Sequence, residues 1–487
     1  MSSESAAESG ETSKAPDANA EPAVPAGGLW SASHRALTLG LVLTITFIAS
    51  EALAVITIMP VVARDLGGLK LYGWVFTAFM LGNVVGIVVS GRQADRFGPA
   101  RPFLAGLALF AAGLAIAGLA PSMLVLVAGR ALQGIGAGAV PAIAYVSIGR
   151  SYPERLRAQM MAVLSTAWVV PGLVGPAVSA AVASLVGWRW VFLGLLPIVA
   201  TTGSIALPAL FRLGKQPATA PSAPAAGAAH RLTDGLAAAA GAGLMLTGLS
   251  LVAGAHDVIA GGVVLVLGVV AISLSLRRLL PPGTFAARDG LPVVVLTRGL
   301  LTFTFFGADA YVTLTITTVR HHSPAMAGIA VTGSTLAWTA GAWIQSRLNG
   351  RWEARRLVGL GVVIILTGLV AMALVLSPSI PVEVGIAAWT VAGFGIGLAY
   401  APTTLLMLRE APPDHEGWAS ASLSLADVLG TAIGIGLGGA AVAAAAAHGW
   451  SLAAGVGIAF AVAGAGALAL GFASRRLPLT HATLGAS

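Results

Sequence analysis

One stretch constrains the fold more than any other. Thr44 to Val61 reads TITFIASEALAVITIMPV, apolar almost throughout, yet with Glu51 near its middle. A charged side chain at mid-bilayer depth is disfavoured by roughly 3 kcal/mol on insertion scales, so a residue of this kind points to a function. The same pattern returns 258 residues later, from Thr302 to Val319, as TFTFFGADAYVTLTITTV. Asp309 falls on Glu51, and Thr44, Thr46, Phe47, Ala52, Thr57, Ile58 and Val61 recur identically. Two related apolar helices, each with one acid at the same position, are the mark of two homologous halves facing a shared central cavity.

The remainder of the chain agrees with a bilayer as solvent. Its 487 residues are 57% hydrophobic and 9% charged, too little charge to cover a soluble protein of this length. Apolar segments of about 20 residues recur along nearly the whole length, which reads as an all-α, multi-pass membrane protein. The formal charge of +8 could signal nucleic acid, but the basic residues sit in short loops between apolar runs, where they report topology instead. The absence of cysteine excludes disulfides, thiolate metal sites and cysteine nucleophiles.

The apolar pattern predicts fourteen spans. Placing both termini in the cytoplasm leaves only Arg64, Lys70, Arg189 and Arg320 outside and Arg130 and Arg298 within spans, so 21 of the 27 basic residues fall inside. Residues 1–33, rich in Ala, Ser, Glu and Pro, read as a disordered cytoplasmic tail. A first six-helix half is expected over 34–211 and a Pro/Ala linker over 212–234. Two inserted helices follow at 235–280, a second six-helix half at 281–475 and a short cytoplasmic tail at 476–487. Because the repeat pairs helix 1 with helix 9, the inserted pair belongs to neither half, and the architecture is six plus two plus six.

Several charged and small residues are candidates for function. Following helix 2, Gly91-Arg92-Gln93-Ala94-Asp95-Arg96-Phe97-Gly98-Pro99-Ala100-Arg101 forms a mixed-charge cytoplasmic loop. Such a loop can hold two helices together in one conformation and release them in another; an ordinary positive-inside loop is the plainer alternative. Helix 4 carries Arg130, Gln133, Gly134, Gly136 and Gly138, a spacing that lets helices approach closely. Arg130 lies nine residues from Pro121, and Glu51 nine from Pro60, so both sit ~14 Å below the outer face. Equal depth allows the two to pair; snorkelling of Arg130, or another partner, is the alternative. In helix 5, Pro171, Gly172, Gly175, Pro176, Ser179 and Ala180 predict a bent, closely packed helix.

These segments resemble the major facilitator superfamily. Gly91, Ala94, Asp95, Arg96 and Gly98 match its Gly-x-Leu-Ala-Asp-Arg-x-Gly-Arg-Arg loop; Gln93 replaces the Leu, and Pro99 and Ala100 replace the Arg pair, leaving Arg101 as the nearest cation. The segment from Gln345 to Arg351 looks like a worn copy of it. Arg130, Gln133 and the three glycines match the family's helix 4 signature, while the second half has Gly393, Gly395 and Gly397 but Trp389 where Arg130 would stand. Gly175 and Pro176 match the helix 5 stretch that marks exporters, and Gly430, Gly434, Gly436, Gly438 and Gly439 repeat it without the proline. Glu51 followed nine residues on by Pro60, and Trp188-Arg189-Trp190 opening helix 6, are similar to the fourteen-helix drug:proton antiporters. Glu51, Leu53 and Ile56 replace that group's Asp, Thr and Asn. Trp188 to Trp190 are read as an interfacial anchor in their own right.

The resemblance implies the major facilitator fold with 14 transmembrane helices, in the plasma membrane. It implies proton-coupled export of hydrophobic or cationic small molecules by alternating access. Glu51 and Asp309 would couple protons with Arg130 as modulator, since a buried carboxyl group can hold a proton or a cationic substrate but not both readily. Gly91, Asp95, Arg96, Gly98 and Arg101 would form the inner latch. Asn83, Trp168, Tyr311, Trp389, Tyr400 and Asp427 are candidates for the substrate cavity, with Tyr145 behind them; packing is the plainer role for the aromatics, and a solvated vestibule for Asp427. Arg298 and Asp309 stand eleven residues apart on one helix, ~16 Å, too far for direct pairing. His321 and His322 are expected in an exposed loop.

No phosphate-cradling loop, metal spacing or HExxH occurs, so no enzyme, no metal and no cofactor are expected. The expected partners are a small-molecule substrate, protons and the lipid bilayer, with no nucleic acid and a monomer as the unit. An exporter of lipids or another endogenous amphiphile, and a non-transporting sensor or scaffold, are the competing functions.

Overall fold

The structure, a computed structural model, describes residues 28–32, 34–152, 156, 159–160, 163–164, 167, 169–213, 228–254, 258–348, 351–412 and 416–479. Six long helices make up the first part: α1 (Arg35–Asp65), α2 (Tyr72–Phe97), α3 (Ala100–Gly118), α4 (Met123–Ser151), α5 (Val169–Leu185) and α6 (Leu196–Leu213). Two follow, α7 (Ala228–Ala253) and α8 (Val258–Leu279). The last six are α9 (Leu291–Leu314), α10 (Pro324–Leu348), α11 (Ala354–Leu374), α12 (Val382–Glu410), α13 (Glu416–Ala447) and α14 (Leu452–Ser474). A wide π-turn, Thr315–Val319, ends α9. Among the described residues, twelve segments are long and apolar enough to cross a bilayer; α5 is a shorter apolar helix of 17 residues, and α10 lies outside that set. A helix satisfies every backbone polar group internally, which is why apolar sequence takes this form in lipid.

Local chemistry sets several helix ends. Ser122 opens α4 by accepting from Val125 N, and Ser451 opens α14 by accepting from Ala454 N at 3.2 Å, each satisfying one of the orphan donors of a first turn. Pro292 sits in the first turn of α9, where its missing N–H costs nothing. Arg320 donates to the carbonyls of Val375, at 2.7 Å, and of Pro378, at 3.3 Å, pinning the end of α9 to the turn after α11.

Some boundaries differ from those the sequence predicts. Segment Gly91–Phe97 is the last part of α2 rather than a loop, and the turn shrinks to Gly98 and Pro99. No proline precedes Gly98 in this stretch, and the φ of 77° at Gly98 closes the helix in a conformation only glycine adopts freely. Residues 228–234, expected within the linker, are helical because the prolines of that stretch end at Pro224. The expected sixth span breaks into one helical turn, Arg189–Leu193, and α6. Most of the N-terminal tail (1–27), most of the linker (214–227) and residues 480–487 lie outside the described residues.

Packing repeats with a period of eight helices. In the first six, α2 packs on α4, α3 on α4, and α1 on α5 and α6; in the last six, α10 packs on α12, α11 on α12, and α9 on α13 and α14. The close approaches repeat too. Gly134 and Gly138 of α4 lie against the carbonyls of Phe79 and Asn83, and Gly393 and Gly397 of α12 lie against those of Ser334 and Trp338. A Cβ at any of the four would strike backbone, so these helix pairs are held at glycine distance. Helix α7 packs on α8 and also on α2 and α13, covering one seam between the two sets of six. Helix α8 is the outermost, with 22% of its apolar window buried against 72% for α13.

Hydrogen bonds between the two sets gather at one end of the bundle among the described residues. Thr313 donates to Ile56 O at 2.9 Å, Tyr72 to Ala310 O at 2.9 Å, and Thr77 to Ala432 O at 3.3 Å. Gly73 and Gly439 meet backbone to backbone nearby. That end holds the C-terminus of α1 and the N-terminus of α2, so the bundle is closed there.

Candidate functional site

Three buried clusters contain the acids of the apolar spans. The first joins α1 to α4. Arg130 Nη1 donates to Glu51 Oε1 in a buried ion pair, their side chains 3% and 0% exposed. The same Nη1 lies 3.0 Å from Gln133 Oε1, and Gln133 Nε2 donates to Glu51 Oε1 at 3.3 Å. Arg130 Nε reaches Val75 O at 3.4 Å, and its guanidinium stacks 4.2 Å from the Phe79 ring centroid. The close crossing of α4 on α2 at Gly134 sets Arg130 and Gln133 beside Val75 and Phe79, and Glu51 of α1 meets them there. A pair this deep is costly to break, since removing either partner leaves an uncompensated charge in low dielectric. Glu51 Oε2 is buried and has no hydrogen-bond partner among the described residues.

The second cluster occupies the equivalent place in the last six helices, with different chemistry. Asp309 Oδ1 accepts from Trp389 Nε1 at 2.6 Å. Trp389 is fully buried and stacks on Phe305, with centroids 5.2 Å apart and planes at 18°. Phe305 in turn meets Trp338 edge-on at 5.7 Å. Trp389 thus stands where Arg130 stands in the first cluster, and offers the acid a neutral donor instead of a charge.

The third cluster lies deeper along α9, α12 and α13. Arg298 donates to Thr403 Oγ1 at 2.8 Å, Thr404 Oγ1 at 2.5 Å and Tyr400 O at 2.9 Å. Its guanidinium covers the Tyr400 ring at 3.6 Å and lies 3.7 Å from Asp427 Oδ2. Tyr400 OH donates to that same oxygen at 2.6 Å, and the Asp427 side chain is 25% exposed. Arg298 therefore serves Asp427 and leaves Asp309 alone, as their separation on α9 requires.

The remaining candidates divide among several places. Tyr311 is fully buried in the seam, donating to Ile435 O at 2.5 Å and tilted on Tyr72 at 5.8 Å; it presents no surface to a cavity here. Asn83 is half-buried on α2 beside Gly138. Pro176 packs against Gly328 of α10, and Gly172 against Thr335, so α5 meets α10 as the second contact between the two sets; a Cβ on Gly175 would meet only Leu53, at 3.9 Å. Gly136 faces α3, where a Cβ would strike Gly106 and Phe110. Arg101 is exposed with its guanidinium 5.9 Å from the Phe97 ring. The surroundings of Gly91, the side chains of Asp95, Arg96 and Tyr145 and the whole of Trp168 lie outside the described residues. His321 is exposed and His322 half-buried. Trp188, expected as an interfacial anchor, is instead buried and donates to Asp65 Oδ2 at 2.8 Å; Arg189 pairs with the same oxygen at 3.2 Å, and of the two tryptophans Trp190 is the one that projects outward. Asp65 draws the indole inward because its N–H needs a partner once buried.

Sequence reasoning did not anticipate the roles of Gln133 beside Glu51, Phe79 beneath Arg130, or Thr403 and Thr404 around Arg298. Gln133 stands three residues from Arg130, one helical turn away, and that spacing was the available signal. Nothing marked Phe79 or the threonines, whose position depends on which helices cross.

Comparison with known proteins follows the same lines. A probable multidrug-efflux transporter of Mycobacterium tuberculosis is 28% identical over 397 residues, covering 79% of this chain and 83% of the relative. Multidrug resistance protein 3 of Bacillus subtilis is 34% identical over 167 residues, 34% of this chain and 33% of its own length. Among solved structures, a D-xylose-proton symporter superposes with a TM-score of 0.59 at 17% identity, covering 92% of this chain and 98% of the symporter. The sequence profile of the Major Facilitator Superfamily matches residues 39–435, a span that takes in all three clusters. The chain belongs to the Major Facilitator Superfamily and is a membrane transporter, not an enzyme.

Proposed function

We propose that this transporter exports hydrophobic or cationic small molecules in exchange for protons, by alternating access of its two six-helix sets. One observation carries the reading: two enclosed acids at equivalent positions, with unequal partners. Glu51 is neutralised by Arg130, while Asp309 meets only the neutral Trp389 among its described hydrogen bonds. A proton or a cationic substrate supplies the positive charge that ionised Asp309 lacks, and the two compete for it. The buried, unpartnered Oε2 of Glu51 gives the first set a place for a proton. The relatives named as a probable multidrug-efflux transporter and as multidrug resistance protein 3 support an exporter of drug-like molecules.

In this reading all fourteen helices span the cytoplasmic membrane, both termini are cytoplasmic, and the monomer is the working unit. The end closed by Tyr72, Thr77 and Thr313 is then the outer one. Both acids are enclosed in this conformation (Glu51 0% and Asp309 6% exposed), so exchange with water accompanies the opening of one end or the other. Gly91, Asp95, Arg96, Gly98 and Arg101 serve as the inner latch, the tight turn at Gly98 holding α2 and α3 in register.

The test is efflux of ethidium from liposomes containing the purified protein, with and without an imposed pH gradient. Wild type should respond to the gradient; Glu51→Gln should fold and insert but lose gradient-driven efflux. Wild-type rates from Glu51→Gln would overturn the coupling role.

A further inference from the structure

A groove of about 680 Å³ lies between the start of α11 and the end of α14, on the outside of the bundle, far from the three clusters. It is at the end opposite the hydrogen-bonded seam. Its wall is apolar, built from Val362, Val363, Leu468 and Phe472, and three of these project outward, Val363 61%, Leu468 67% and Phe472 61% exposed. Its rim carries Arg355, Arg356 and Arg475. Arg356 lies 3.6 Å from Glu353, the one acid in the groove. The side chains of Arg355 and Arg475 make no ion pair or hydrogen bond among the described residues. A smaller hollow adjoins the groove through these same two arginines and adds Arg476, Asp289 and Glu410.

We propose that this groove binds an anionic phospholipid from the cytoplasmic leaflet, its phosphate on Arg355 and Arg475 and an acyl chain along the apolar wall. The proposal does not depend on what the protein exports. An apolar slot opening toward lipid, capped by unpaired cations at a helix-end level, matches both parts of such a molecule, and neither part alone accounts for both features. Gly359 and Gly471 keep the slot open: a Cβ at Gly359 meets nothing within 4 Å, and one at Gly471 only Val362, at 3.7 Å. The chain's own N-terminal segment is the rival occupant. Residues 1–27 carry five acids, which fits the rim, but Met1 and Val24 are their only large apolar residues, which leaves the slot unfilled.

The experiment measures association of spin-labelled phosphatidylglycerol and phosphatidylcholine with the full-length protein in phosphatidylcholine vesicles. Wild type should prefer phosphatidylglycerol, and Arg355→Gln with Arg475→Gln should weaken that preference about tenfold. Gly471→Leu, which fills the slot and leaves every charge in place, should weaken it as well. Soluble glycerol 3-phosphate should not displace the lipid. Retained preference in either variant overturns the proposal, as does displacement by glycerol 3-phosphate, which would mark a site for free anions. A wild type with no preference for phosphatidylglycerol, which gains one only on removal of residues 1–27, would assign the groove in the intact chain to that segment and also overturn it.

Discussion

Trp389 donates its indole N–H to Asp309 at 2.6 Å, at the place where Arg130 meets Glu51 in the other set of helices. The repeat has kept an acid and a donor on both sides and has kept the charge of the donor on one side only. An Arg–carboxylate pair is neutral as it stands, whereas an acid held by an indole carries a net charge whenever it is ionised. In the exchange proposed above, the second set is therefore the one that would take up the cation.

Replacing Trp389 tests that asymmetry. Trp389→Arg places a permanent cation beside Asp309 and should weaken binding of tetraphenylphosphonium about tenfold, the scale of one charge-assisted interaction. Trp389→Phe keeps the stack on Phe305 and removes the donor, and should lower stability by roughly 1–3 kcal/mol. Equilibrium binding and thermal melting in detergent read the two effects. Undiminished cation binding by Trp389→Arg would place the cation elsewhere.

The buried pair in the first set makes a different prediction, one of non-additivity. Arg130→Gln leaves Glu51 uncompensated and should cost about 3–5 kcal/mol. Glu51→Gln combined with Arg130→Gln removes both charges and keeps hydrogen-bonding groups, so the double variant should be more stable than Arg130→Gln alone. Both should fail to couple efflux to a pH gradient. A double variant less stable than Arg130→Gln would mean that attraction within the pair exceeds the cost of enclosing it.

Much of this was legible from residues alone, for identifiable reasons. Glu51 and Asp309 announced themselves because a charge in an apolar span has no neutral explanation, and the repeat located both at once. Arg130 could be placed at the depth of Glu51 because a straight helix converts residue count into distance. The partner of Asp309 was less visible: Trp389 stood out as a missing arginine and as a candidate for the substrate cavity, with packing the plainer role, and its indole N–H gains meaning only with α12 beside α9. The extent of α2 was hidden for another reason, that charged residues look like loop yet continue a helix as readily as apolar ones. Trp188 misled because burial against Asp65 depends on a contact 123 residues away.

The seam at the closed end gives a conformational prediction. Gly73 and Gly439 meet so closely that a Cβ on Gly73 would strike Gly439 Cα and the Tyr311 hydroxyl. Gly73→Leu should therefore wedge α2 from α13 and shift the population toward a state open at that end. The chain has no cysteine, so spin labels at Arg64→Cys and Ala325→Cys, both on exposed positions, report the separation directly. The distance distribution should lengthen by several ångströms in Gly73→Leu, and an unchanged distribution would show that the seam does not set the equilibrium.

The third cluster separates a structural arginine from a partly exposed acid. Arg298 is 2% exposed and bonds three groups besides Asp427, so its loss strands Thr403, Thr404 and a carboxylate together. Asp427 is 25% exposed and keeps a hydrogen bond from Tyr400, so solvent and that hydroxyl soften any change there. Arg298→Met should cost roughly 2–4 kcal/mol, an effect of unsatisfied buried polar groups, while Asp427→Asn should cost about 1 kcal/mol or less. Thermal melting of the two purified variants decides the matter. Equal losses would show that the 3.7 Å ion pair, rather than the threonine and tyrosine contacts of Arg298, fastens α9 to α12 and α13; the unequal losses expected here would leave Asp427 free to meet substrate without loosening the bundle.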